Sequence, residues 1–317
     1  MTIEVLHGDC LEHMAAMASA GRKFASIVTD PPYGLGFMGK AWDAPDNVAF
    51  RPETWRLALD VLEPGGMMAC FGGSRTQHRM ACAIEDAGFE IRDCALWLYG
   101  SGFPKSKALL KPAYEPIILA RKPGPLRMLD IDGCRVATDE STRRTNTAEM
   151  GYCGGNLAAV YQTGSDAGRF PANILHDGSD EVLDLFAAFG ETKSGAMKRE
   201  VAEYAGDSVT GFLRGRSGPS NQHGDSGTAA RFFYCAKASK AERAGSTHPT
   251  VKPLALMRWV TRLITPAGCT VLDPFAGSGS TLRAALDEGF HAVGIEREAE
   301  YIADIHSRLG LGLEAAE

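Results

Sequence analysis

Two consecutive prolines directly behind an apolar hexapeptide fix where one strand of this chain must stop. Phe24-Ala25-Ser26-Ile27-Val28-Thr29 runs into Asp30-Pro31-Pro32-Tyr33. The hexapeptide is short, apolar and partly β-branched, which reads as a buried strand. The prolines carry no N–H and have a fixed φ, so the ladder ends and a rigid turn begins. A carboxylate, two carbonyl acceptors and an aromatic ring are thereby held just past a strand's carboxyl end, the edge where open α/β sheets bind ligands. A stiff acceptor cluster beside a stacking ring suits a planar base with an exocyclic amine.

The chain has 317 residues, enough for one large domain or two smaller ones. It holds no apolar run of about 18 residues, so no membrane span is expected. Met1-Thr2-Ile3-Glu4-Val5 lacks the basic and apolar regions of a signal peptide. The eight cysteines show no CxxC spacing and read as reduced, mostly buried thiols of a cytoplasmic protein. Cys134, Cys153, His176 and His223 offer zinc-ligand chemistry without the short spacings that zinc sites show, so no metal is expected.

The net charge of −6 alone argues against a polyanionic partner, but its distribution does not. Residues 101–125 hold five Lys/Arg against Glu115 only, and residues 193–243 hold nine Lys/Arg against five Asp/Glu, a local excess of four cations in each. Basic patches on an acidic chain fit a directed nucleic-acid face, and equally fit solvated loops.

Strand and helix signals alternate at both ends of the chain. Ile3-Glu4-Val5-Leu6 reads as a strand, followed by Gly8-Asp9-Cys10 and a helix from Leu11. Residues 52–62 read as a helix with Pro near its start, 67–71 as a strand, 76–87 as a helix and 89–98 as a strand that pairs with 114–120. From about 122 to 227 the chain turns rich in Gly, Ser, Thr, Asn and Arg, with weak periodicity and one helical patch at 179–189. Order returns with a helix over 251–264, a strand over 269–272, a helix to about 288, a strand over 291–295 and a last helix over 299–309. That closing stretch is a βαβα unit.

Between its first strand and helix lies Asp273-Pro274-Phe275-Ala276-Gly277-Ser278-Gly279-Ser280-Thr281, and Glu296 ends the next strand. The glycines admit a ligand close to the backbone, and helix-terminal amides add donors. Glu296, 19 positions after Gly277, can accept from ribose hydroxyls. The dinucleotide fingerprint fails, because Leu282 stands where its third Gly belongs, and the Gly-Lys-Ser/Thr ending of a phosphate loop is absent. Asp273 repels a pyrophosphate and favours a cofactor with a cationic or polar tail.

Together these segments resemble the amino-directed DNA methyltransferases, which act on adenine N6 or cytosine N4. Asp30-Pro31-Pro32-Tyr33 is similar to their catalytic motif and Asp273 to Gly279 to their cofactor loop. Gly294-Ile295-Glu296 resembles the acidic ribose motif, Gly8-Asp9-Cys10-Leu11 the motif near the cofactor adenine, and His248-Pro249-Thr250-Val251-Lys252-Pro253 the segment before the loop. The catalytic motif precedes the cofactor motif, the order of the circularly permuted β class. The resemblance covers about 3–122 and 231–310. It implies an α/β fold of the S-adenosylmethionine-dependent, Rossmann-like type: a seven-stranded, mostly parallel sheet with a reversed edge strand. It also implies a catalytic domain over 1–122 and 231–317, with a target-recognition insertion at 123–230.

The resemblance further implies that Asp30, Pro31, Pro32 and Tyr33 are catalytic. Asp9, Cys10, Lys252, Asp273, Pro274, Phe275, Ala276, Gly277, Ser278, Gly279, Thr281 and Glu296 then bind S-adenosylmethionine. The substrate is double-stranded DNA whose target base is flipped out of the stack. Adenine N6 is the leading target because the motif begins with Asp, with cytosine N4 as the alternative. A non-catalytic DNA-binding relative, or an enzyme acting on RNA or protein, fits the motifs less well. Members are often dimers, so a homodimer is expected as one arrangement; the motifs do not say whether a restriction endonuclease partners this chain, and no nuclease motif stands in it. Outside the motifs, Trp42 could wedge DNA or cover the cleft. Arg214, Arg216, Asn221, Gln222 and Arg231 are residue types that read phosphates and base edges. Asp9 also fits the N-cap of the helix that follows it.

Overall fold

The computed structural model describes residues 1–36, 41–102, 107–138, 144–152, 155–163, 165–193, 226–236 and 251–310. Cys153, Arg214, Arg216, Asn221, Gln222, His223, His248, Pro249 and Thr250 lie outside them. The chain forms two compact units. The first comprises Met1–Cys134, Ala172–Val182 and Tyr234–Glu317, the second Arg135–Pro171 and Leu183–Phe233. The span 123–230 therefore contributes two short segments, 123–134 and Ala172–Val182, to the first unit.

The first unit is built on one sheet. In chain order its strands are β1 (Ile3–His7), β2 (Phe24–Thr29), β3 (Leu62–Phe71), β4 (Glu90–Leu98) and β5 (Tyr114–Arg121). The second unit holds β6 (Arg144–Tyr152) and β7 (Gly155–Thr163), an antiparallel hairpin. β8 (Ile174–His176) returns to the sheet of the first unit, while β9 (Thr192–Lys193) and β10 (Ser226–Gly227) pair in the second. β11 (Tyr234–Cys235), β12 (Thr270–Asp273) and β13 (His291–Glu296) complete the sheet. Its spatial order is β1-β13-β12-β2-β3-β5-β4-β8-β11, and only β5 runs antiparallel to its neighbours.

Two details differ from expectation. The described sheet has nine strands rather than seven, because β8 and β11 extend it beyond β4. The reversed strand is also interior rather than at an edge. β5 bonds to β3 on one side and β4 on the other, so its Ile117-Ile118-Leu119-Ala120 run is wholly buried. An apolar run without polar alternation is what a strand paired on both sides and covered on both faces requires.

Helices α1 (Cys10–Ser19), α2 (Pro52–Val61) and α3 (Gln77–Asp86) cover one face, and α5 (Leu254–Ile264) the other. α6 (Ser280–Asp287) and α7 (Ala299–Leu309) pack with β1 and β13; α4 (Asp180–Ala187) begins in the first unit. Strand periodicity sets the layering. Ile27, Met68 and Ile118 enter the core under α1 to α3, while their neighbours Val28, Ala69 and Ile117 enter the core under α5. Seven cysteines are described, none in a disulfide; Cys10, Cys70 and Cys134 are buried, but Cys82, Cys94 and Cys235 are exposed, more than the reading of buried thiols expected. No described helix is long and apolar enough to cross a membrane.

Trp55 anchors the α2 side. It has no exposed surface, its Nε1 donates to the Ala49 carbonyl at 2.9 Å, and its ring lies 6.5 Å from that of Phe275. Trp55→Ala removes a large buried ring that its neighbours cannot fully replace, so it should cost about 3–5 kcal/mol. Urea unfolding followed by far-ultraviolet circular dichroism checks this as a clear fall in midpoint.

Candidate active site

Strand order alone brings the separated motifs together. β12 pairs with β2 in parallel, Val271 opposite Ser26 and Leu272 opposite Ile27, so both strands end at the same edge. β13 lies beside β12 and β1 beside β13, which adds Glu296 and then Gly8-Asp9 to that edge. Because β5 is reversed, its first residues, not its last, reach it, and Glu115 joins the group. The result is a cleft of about 360 Å³ lined by Asp9, Asp30, Tyr33, Glu115, Lys252, Asp273 and Glu296 among others. This size is that of small-molecule sites. Pro31, Pro32, Cys10, Pro274, Phe275, Ala276, Gly277, Ser278 and Thr281 line it too.

The loop after β2 is held on both sides. Tyr33 donates through its hydroxyl to Asp30 Oδ1 at 2.6 Å, and its carbonyl accepts from Thr76 Oγ1 at 2.7 Å. The next turn is pinned by Asp43, which is buried and accepts from the amides of Gly34 at 2.7 Å and Leu35 at 3.1 Å. Gly34 sits at φ +67°, and a side chain there would run into the Phe50 ring. Trp42 lines the cleft through this loop.

On the glycine-loop side the carboxylates organise backbone. Asp273 Oδ1 accepts from Thr29 Oγ1 at 2.7 Å and from the Phe275 amide at 3.1 Å. Burial pushes its carboxyl up to about 6, against hydrogen bonds from Thr281, Thr29 and the Phe275 amide. Asp273 thus stitches β12 to β2 as well as facing the cleft. Glu296 accepts from the Gly277 amide at 2.7 Å and from the Glu298 amide at 2.8 Å; burial raises its carboxyl above the usual range despite them. Gly277 and Gly279 both adopt positive φ, and at Gly279 a Cβ would meet Ile305. Asp9 caps α1, its Oδ1 accepting from the Leu11 amide at 2.8 Å while the residue also lines the cleft. The capping role read as one option for Asp9 therefore coexists with its place in the site.

Lys252 also lines the cleft, where it meets the Asp30–Tyr33 loop and the head of β5. Its Nζ donates to Asp30 Oδ2 at 2.7 Å and to the Tyr33 hydroxyl at 3.1 Å. It lies 3.1 Å from Glu115 Oε2, an ion contact off hydrogen-bonding alignment. Burial opposes the lysine charge, but the two carboxylates outweigh it and hold its pKa above the ordinary value. Glu115 escaped the sequence reading; an acid at the head of an otherwise apolar strand was the signal available. Arg231, a candidate DNA contact, is engaged inside the second unit, where its guanidinium bonds the Thr228 carbonyl at 2.7 Å and stacks 4.2 Å from the Phe232 ring centroid.

A family model for DNA methylases of the N6/N4 type matches residues 24–307. The type II methyltransferase M.BglI of Bacillus subtilis is 45% identical over 60 residues, 19% of this chain and 17% of that enzyme. The chain thus covers under a fifth of that relative's length. The crystal structure of an M1.HpyAVI–SAM complex has TM-score 0.54 and 19% identity, with 97% of this chain and 100% of that one covered. PvuII DNA methyltransferase, cytosine-N4-specific, gives TM-score 0.55 and 16% identity over 100% of this chain and 89% of that one. A DNA modification methylase of Thermus thermophilus, complexed with S-adenosyl-L-methionine, gives 0.51 and 19% over 99% and 96%. At these identities the likenesses establish a shared α/β fold.

The raised Asp273 carboxyl makes stability depend on pH. The folded form holds its proton more tightly than an ordinary aspartate, whose value is 3.8. Its favourable contribution is complete below that value and is lost as pH rises through about 6. Asp273→Asn keeps the Oδ1 acceptor and removes the titration. Urea midpoints measured across that window should shift in favour of Asp273→Asn as pH rises; a constant difference would contradict the burial argument.

Proposed function

The chain belongs to the N6/N4 DNA methylase family, and from that premise we propose that it transfers a methyl group from S-adenosylmethionine to adenine N6 of a flipped base in duplex DNA. The observation that carries this reading is Asp30 lining the cleft beside Tyr33, with both carboxylate oxygens held in place. The donor set fits the cofactor: eight Asp/Glu line the cleft against three Lys/Arg, a surface that repels polyphosphates and suits a net cation. Glu296, the Gly277–Gly279 loop and Asp9 would hold its nucleoside part, and Asp273 and Thr281, which line the same cleft, would hold its polar tail. When bound, the cofactor supplies an electrophilic methyl group.

The chain's own residues do the rest by placement. Tyr33 presents a ring on which the extruded base can stack, and its tether to Asp30 fixes the ring's tilt. The exocyclic nitrogen has a lone pair delocalised into the base and is a poor nucleophile. Asp30 and the Pro31 carbonyl accept hydrogen bonds from its two N–H groups, which favours a pyramidal nitrogen with its lone pair directed outward. Asp30 then relieves the nitrogen of the proton it must lose. The catalysis so described is positioning and electrostatics, with no covalent enzyme intermediate.

The Asp-first motif favours adenine over cytosine N4. We assign target reading to the span 123–230, whose Gly, Ser, Thr, Asn and Arg content suits adaptable polar contacts, and the motif order to the permuted β class. Asp30→Ala should lower methyl transfer by about 10²–10⁴-fold, the range for a positioned proton acceptor, with cofactor binding retained in calorimetry. Nucleosides from DNA treated with the enzyme should contain N6-methyladenine by mass spectrometry. N4-methylcytosine in its place would reassign the target base, and unchanged turnover by Asp30→Ala would overturn the active-site reading.

A further inference from the structure

We propose that Glu115 is a positioning residue for methyl transfer: by sharing the Lys252 ammonium, it keeps that cation from neutralising Asp30, which remains a strong acceptor for the target amine. This rests on the reading of Asp30 as the amine's acceptor.

An ammonium has three protons to donate. Lys252 Nζ faces Asp30 Oδ2 at 2.7 Å, the Tyr33 hydroxyl at 3.1 Å and Glu115 Oε2 at 3.1 Å. The Lys252 side chain is only 8% exposed, and the rings of Tyr33 and Phe71 lie 5.4 and 5.1 Å from its Nζ. In such surroundings one Lys with one Asp would form a closed, nearly neutral pair, and the aspartate would be a weak acceptor for anything else. The second carboxylate divides the cation's field and leaves the cluster one negative charge in excess when both acids are ionised. Burial itself raises the Glu115 carboxyl, and Lys252 pulls it back. Glu115 is here because β5 is reversed, which aims the head of that strand at the carboxyl edge of the others.

Other titratable groups face the cluster. Asp273 from β12 and the Cys70 thiol from β3 interact with Asp30, and Tyr99, just past β4, with Glu115 and Lys252. All of them stay in place in the variants below, so comparison between variants isolates the Lys252–Glu115 contribution.

The test is the pH dependence of methyl incorporation from radiolabelled S-adenosylmethionine into unmethylated genomic DNA by the full chain. A rate that needs an ionised acceptor falls at low pH, which gives the profile an acid limb. In Glu115→Gln the remaining carboxylate has the cation to itself. The acid limb should move to lower pH and kcat should fall by about tenfold or more, within the range of proton-accepting groups. In Lys252→Gln two carboxylates face each other without the cation, and the limb should move to higher pH. Glu115→Asp should recover part of the lost kcat. Unchanged S-adenosylmethionine affinity in Glu115→Gln, by calorimetry, shows that the site is still built. Wild-type kcat in Glu115→Gln, a limb that moves the same way in both variants, or loss of cofactor affinity in Glu115→Gln would each overturn the proposal while leaving Asp30's role intact. Failure of the wild-type chain to methylate DNA would overturn the underlying reading, and this proposal with it.

Discussion

The parallel pairing of β12 with β2 is the constraint on which the site depends. The strands lie far apart in sequence, yet Thr29 at the end of one donates to Asp273 at the end of the other at 2.7 Å. That bond locks the starts of two loops, Asp30-Pro31-Pro32-Tyr33 and the glycine loop, at a common edge. Asp273 is 2% exposed and bonded to both loop starts, a keystone between them. A carboxylate is suited to this because its oxygens accept several donors at once, here a hydroxyl and an amide on the same atom.

The strands that carry motifs were legible because each is a short apolar run closed by residues with one conformational meaning. Diproline ends β2, glycines follow β12, and Asp9 caps α1 after β1. The reversed strand was legible as a partner of β4 but not as an interior strand, since the local pattern of β5 does not say what lies on its second side. β8 and β11, of three and two residues, are too short for any periodicity to register. The β6–β7 hairpin is a different failure. Its strands, RTNTAEMGY and GNLAAVYQT, mix β-branched and aromatic residues with Asn, Ala and Gly without a regular apolar alternation, so the stretch read as loop.

Candidate site residues divide along the same line. Residues on or just after the carboxyl ends of parallel strands were found, because the position itself carries the inference. Glu115 was not, because the same rule applied to an unreversed strand would place the head of β5 at the opposite edge. Lys252 was found by its neighbours in sequence, but its partners are Asp30, Tyr33 and Glu115. A motif reveals that a residue is in the cleft; which wall it serves follows from the packing of α5, whose start delivers it.

The cluster of buried Lys252 with the partly buried Asp30 and Glu115 gives the Asp30–Tyr33 loop its electrostatic character. A lone buried aspartate would be costly to ionise, and an aspartate paired one-to-one with lysine would be ionised but spent. Two acids around one cation satisfy both demands, since the cation stabilises the charge and the second acid limits how much of it is cancelled. The sheet supplies this combination only by running one strand backwards between two others, so the topology of β5 and the chemistry of Asp30 are the same structural decision.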